Sequence, residues 1–147
     1  MRVPVLKYGV HSNPETQPHY LTTMYSSTFT FAKGHYDEEF YALDNAIAEV
    51  AKSIPGYLGE EAWENPQTGL IANVYYWESM EALQALMQHP LHRQAKQRQA
   101  QWLNGYQIVI SQVIGTYGDG RIAHPLAGKV VRPLQNAQST TSTSDGQ

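Results

Sequence analysis

The chain has 147 residues, 41% of them hydrophobic and 16% charged, with a net charge of −3. This describes one domain with apolar material for a core, and it excludes both a disordered acidic or basic chain and a global attraction to nucleic acid. The absence of cysteine excludes a disulfide scaffold, a thiolate zinc site, an iron–sulfur cluster and a cysteine nucleophile. No run of about 18 apolar residues marks a membrane helix, and the first twenty residues lack the apolar core of a signal peptide. The expectation is a cytoplasmic protein with no membrane partner. Ten tyrosines and three tryptophans stand against three phenylalanines, a bias that suits the walls of ligand pockets and interfaces.

Residues 1–23 form an N-terminal extension with Pro4, Pro14 and Pro18 and little periodicity. Alternation predicts a first strand over Met24–Ala32, with Tyr25, Ser27, Phe29 and Phe31 on its buried face. Gly34 turns the chain. Asp37 is placed to cap a helix with Glu38 and Glu39 in its first turn. Phe40, Leu43, Ile47, Val50 and Ala51 form one apolar stripe, and Pro55-Gly56 stops the helix near Ser53. The Asn65–Gly69 turn joins a strand from Tyr57 to about Trp63 to a strand over Leu70–Trp77. That strand is apolar on both faces. Ser79 caps a short helix to about Gln88, and Pro90 opens another that is expected to run to about Leu103. Asn104-Gly105 is read as its stop, and Tyr106–Tyr117 as the last strand. Residues 119–147 are polar and end in a Ser/Thr-rich run, which predicts a disordered tail.

The order β-α-β-β-α-β over residues 24–118 predicts an α+β, ferredoxin-like domain: an antiparallel sheet with helices on one face. Strands apolar on both sides require a cover for the other face. A second copy of the sheet is the expected cover, giving a homodimer, and the terminal tails are the alternative cover.

Four segments carry a family resemblance. They are Pro55-Gly56-Tyr57-Leu58-Gly59, the stretch Tyr75–Leu83 containing Trp77-Glu78-Ser79, His89-Pro90-Leu91-His92-Arg93-Gln94-Ala95-Lys96, and Val113–Gly118 ending in Tyr117-Gly118. In order and spacing the chain resembles the antibiotic-biosynthesis monooxygenase (ABM) family of dimeric α+β barrels. The resemblance covers about residues 22–118. It implies one of three kinds of member: a cofactor-free oxygenase of phenolic polyketides, a heme-degrading oxygenase, or one of the many members of no known activity. The heme-degrading pattern requires an Asn, a Trp and an axial His where this chain has Ser27, Leu86 and Lys96. The cofactor-free branch implies a pocket that binds an aromatic substrate, favours its anion and holds O₂ in a dry cavity.

His89, His92, Arg93 and Lys96 share one helical face. They read as an electropositive wall for a phenolate, an enolate or heme propionates, with His92 as the base, or as a solvated basic face. His89 reads also as the cap of the helix opened by Pro90. Asn73 is the polar residue of an apolar strand, placed to hold a substrate oxygen or to bond a neighbouring strand or subunit. The expected catalytic pair is thus His92 and Asn73. The expected substrate-binding residues are Tyr25, Ser27, Phe29, Tyr75, Leu86 and Trp102. No metal and no cofactor is expected. The alternatives are heme with His92 or His89 as axial ligand, and a binding module, isomerase or lyase on the same barrel. The expected partners are a small aromatic molecule, O₂ and a second copy, with no nucleic acid.

Overall fold

The computed structural model describes residues 19–21 and 23–131. Strand β1 (His19–Leu21) leads into β2 (Tyr25–Lys33), α1 (Glu38–Ser53), β3 (Tyr57–Glu64) and β4 (Leu70–Trp77). These are followed by α2 (Met80–Gln88), α3 (Pro90–Arg98), a 3-10 turn (Gln99–Gln101), β5 (Leu103–Gln112) and β6 (Lys129–Val131). The order β3-β4-β2-β5, antiparallel throughout, is a ferredoxin-like sheet. No helix among the described residues is long and apolar enough to cross a membrane.

Local chemistry explains the element ends. The Asp37 carboxylate accepts the Phe40 N–H at 2.8 Å and opens α1. Tyr36 stacks on Phe40 at 3.8 Å between ring centroids. Gly56, at φ 96°, makes the turn out of α1. The Asn65 side chain accepts the Gln67 N–H at 2.9 Å in the β3–β4 turn. Ser79 caps α2 by accepting the Ala82 N–H at 3.1 Å.

Alternation along the central strands places Ser27, Phe29 and Phe31 of β2 in register with Tyr75, Asn73 and Ile71 of β4, facing the helices. Two apolar clusters fill this layer. One is built on Ala51, Trp77, Ala82, Leu83 and Leu86, the other on Phe31, Leu43, Trp102 and Leu103, and Ile47 packs against both.

Three boundaries differ from the sequence reading. The helix opened by Pro90 ends at Arg98 rather than near Leu103. Here the Trp102 N–H donates to the Gln99 carbonyl at 3.0 Å, and the Trp102 carbonyl accepts the Gly34 N–H at 2.9 Å. These bonds pull the chain onto the end of β2. Leu103 therefore begins β5, paired with Lys33 across a bulge, and Asn104-Gly105 lies inside the strand. At its other end β5 stops at Gln112, opposite Tyr25, because its partner strand ends there.

The third difference is in the tail. Residues 129–131 pair in parallel with residues 19–21, so each reading of a featureless terminus meets a short strand. Before it, His124 and Pro125 lie over the outer sheet face. The His124 Nε2 is 3.2 Å from the Glu61 carboxylate, and a Cβ on Gly59 would stand 2.8 Å from Pro125. His124 is thus partly enclosed. Residues 132–147 and 1–18 lie outside the described residues.

Candidate active site

Between the two apolar clusters, under the helices, lies a cavity of about 260 Å³. Seven of the eight residues expected at the site line it: Ser27 and Phe29 from β2, Asn73 and Tyr75 from β4, Leu86 from α2, His92 from α3, and Trp102. Tyr25 does not. It stands opposite Trp77, and the fully buried Trp77 indole fills the layer at that level, closing the cavity before it reaches Tyr25.

His92 lines the cavity from α3. Its Nδ1 is buried without a hydrogen-bond partner among the described residues. Burial pushes the imidazole below the ordinary histidine value, and Lys96 and His89 act in the same direction, against the Met87 backbone carbonyl. The shift favours the neutral form of the ring. His89 is differently employed. Its Nδ1 accepts the Leu91 N–H at 3.2 Å and caps α3.

The polar atoms of the sheet face His92 across the cavity. Ser27 Oγ accepts the Trp77 indole N–H at 3.4 Å, which leaves the hydroxyl proton for another acceptor. Burial pushes the Tyr75 phenol well up, and Glu60 adds to the shift, so Tyr75 remains a neutral donor. Trp102 is held by its indole N–H on Asp37 at 3.0 Å and is packed in the core, so it forms a rigid wall.

The sequence reading missed several lining residues. Leu43 and Ile47 belong to the α1 stripe, which reads as core because a cavity wall and a core wall have the same periodicity. Ile108 and Ile110 follow Tyr106 on one face of β5. Asp44 lines the cavity from α1, and burial, with Glu60 second, holds its carboxyl above the usual range. Among the described residues no group of three His, Asp or Glu side chains converges as a metal site.

Residues 26–98 match the family model described as antibiotic biosynthesis monooxygenase. The chain belongs to that family. Solved structures show the same fold. Protein SO0527 from Shewanella oneidensis is 8% identical, with a TM-score of 0.54 over 63% of this chain and 92% of that one. SnoaB, a cofactor-independent oxygenase from Streptomyces nogalater, is 12% identical, with a TM-score of 0.53 over 64% and 96%. Rv0793 from Mycobacterium tuberculosis is 12% identical, with a TM-score of 0.51 over 65% and 98%. No curated protein sequence matches this chain. At such identities the likeness extends to the fold, and the chemistry of this ABM protein has to be argued from its own cavity.

Proposed function

We propose that this ABM protein is a small cytoplasmic monooxygenase. It binds an aromatic, quinol-like or polyketide-like metabolite under its helices and oxidises it with O₂, without a metal or flavin of its own. The observation that carries this reading is the buried Nδ1 of His92, unpartnered among the described residues, in a cavity walled mainly by apolar and aromatic side chains. A neutral imidazole there is suited to take the proton of a bound phenol. Asn73, with Ser27 beside it, is placed to hold the substrate oxygen as it becomes negative. The electron-rich anion then reduces O₂. A C–O bond forms, and loss of water from the hydroperoxide leaves a quinone, so that one oxygen atom enters the product and the other leaves as water. The apolar walls keep bulk water from the intermediates. The family's oxygenases, SnoaB among its fold relatives, support the same reading. The molecule is proposed to work as a homodimer joined through the outer sheet face.

Oxygen uptake against a panel of hydroquinones and polycyclic phenols tests this. Turnover of at least one panel member is expected, with kcat/KM falling about 100-fold in His92→Ala and in Asn73→Ala. Unchanged turnover in both variants refutes the roles. Conversion without oxygen uptake would make the protein an isomerase or lyase. A sharp, saturable Soret shift with hemin, lost in His92→Ala, would make it a heme protein.

A further inference from the structure

A second space adjoins the cavity. Met87 of α2 and Lys96 of α3 line it from inside. The same two residues also line an open surface concavity of about 490 Å³, together with Gln88, Arg93 and Gln97. The two spaces therefore share a partition made of two long, unbranched side chains. Such side chains change rotamer without moving the backbone. Met87 is already 43% exposed although it is a large apolar residue.

The concavity has a definite charge. Arg93 and Lys96 are three residues apart on α3 and so lie on one face. No acidic side chain lines it, and neither cation is in an ion pair with a described residue. Arg98 of the same helix is otherwise employed. It pairs with Glu39 and lies 4.8 Å over the Trp102 ring. The helix thus divides its cations, with Arg98 joined to α1 and Arg93 and Lys96 left at the mouth of the cavity. Gln88 and Gln97 add neutral amide donors. His92, one helical turn before Lys96, sits at the inner side of the same partition.

We infer that this concavity is an outer subsite for an anionic group, a carboxylate or sulfonate, borne by the same molecule whose ring system fills the inner cavity. The ligand class is then an amphipathic aromatic acid, with a flat apolar body against Phe29 and Ile108 and one anionic arm passing between Met87 and Lys96. The inference rests on the proposed reading of the inner cavity as the binding site. It adds the feature that selects among aromatic molecules: charge recognition at the mouth by Arg93 and Lys96.

Two fluorescent probes of nearly the same shape test it, anionic anilinonaphthalenesulfonate and neutral N-phenylnaphthylamine. In the full-length protein the anionic probe should bind about tenfold more tightly, and added salt should weaken it. The double variant Arg93→Gln, Lys96→Met should lose that advantage while its affinity for the neutral probe stays within about twofold. Ile108→Trp, which fills the inner cavity, should weaken both probes together. In the wild type the two probes should displace each other, and this competition replaces Ile108→Trp should that variant not fold. Equal affinity for the two probes, equal loss of both in the double variant, independent binding of the two, or no binding of either would overturn the subsite. Oxygen uptake is read separately. The charge selectivity can therefore fail while turnover stands, and turnover can fail while the selectivity stands.

Discussion

His92 illustrates what one residue gains and loses on folding. Its ring exchanges water for an apolar cavity, and its Nδ1 finds no partner. The neutral imidazole tolerates this, whereas the imidazolium does not, so burial first, then Lys96 and His89, lower its pKa from 6.5. The sign of the linkage follows. Below the ordinary value of 6.5 the unfolded chain takes up a proton that the folded chain refuses. Stability is therefore whole above that pH. It declines as the pH falls below it and stops declining once the folded-state pKa is passed. Urea midpoints measured from about pH 7 down to about pH 5 should fall more steeply in the wild type than in His92→Phe. Parallel slopes would show that the ring is not held neutral. In the proposed reaction the same shift keeps the imidazole free to act as the base at neutral pH. The sequence made His92 legible as part of a basic helical face. It did not show that the face divides, with His92 lining the inner cavity and Arg93 the outer concavity, because the stripe of His89, His92, Arg93 and Lys96 is about 100° wide and spacing alone does not say which edge points inward.

At the scale of elements, α1 and the entry to β5 are joined through one carboxylate. Asp37 accepts the Phe40 N–H at 2.8 Å as helix cap and the Trp102 indole N–H at 3.0 Å from across the chain. The Phe40 N–H, first among the causes, holds its pKa below the usual carboxylate value, so its contribution to stability exists at neutral pH and is lost as acid protonates it. The melting temperature should be highest in the wild type, lower in Asp37→Asn, which keeps a capping oxygen, and lowest in Asp37→Ala. The gap between wild type and Asp37→Asn should close as the pH falls through the lowered pKa of the Asp37 carboxyl, where both side chains become neutral. A wild-type melting temperature in Asp37→Ala would remove Asp37 from this role. The cap itself was legible, since it needs only Asp37 and its three followers. The bond to Trp102 was not, and this explains the misplaced end of α3. Helix starts and turns are local chemistry, and Asp37, Ser79 and Asn65 all act within three residues of themselves. Strand ends are set by partners, as Gln112 ends opposite Tyr25.

At the scale of the molecule, the two sheet faces have different covers. The helices and the cavity take one face. The outer face carries Thr28, Val74, Tyr76 and Val109 along the strands. The segment after β5 covers its β3–β4 end. There the Tyr76 hydroxyl donates to Glu61 at 2.9 Å, the Tyr76 phenol is pushed up to about 12 by burial first and by Glu61 after it, His124 meets the same carboxylate, and Leu126 is 4% exposed. A tail was the alternative cover in the sequence reading, but a polar stretch without periodicity did not show which part of the face it would take. Apolar strands did signal a face in need of cover, but periodicity cannot tell an intramolecular cover from a second subunit. Among the described residues nothing covers the rest of the face, with Val109 50% and Trp63 63% exposed. The proposed homodimer closes it by placing this face against its own copy. Under two-fold symmetry a charge at Val109 enters the interface twice, unpaired, at a cost of roughly 3–5 kcal/mol or more. Light scattering on a sizing column should give twice the chain mass for the wild type. For Val109→Asp it should give a single chain mass, with dimer affinity weakened more than about 100-fold. The anilinonaphthalenesulfonate site lies on the helix side and should survive in that monomer. A wild-type monomer, or a Val109→Asp protein that still elutes as a dimer, would place the contact elsewhere.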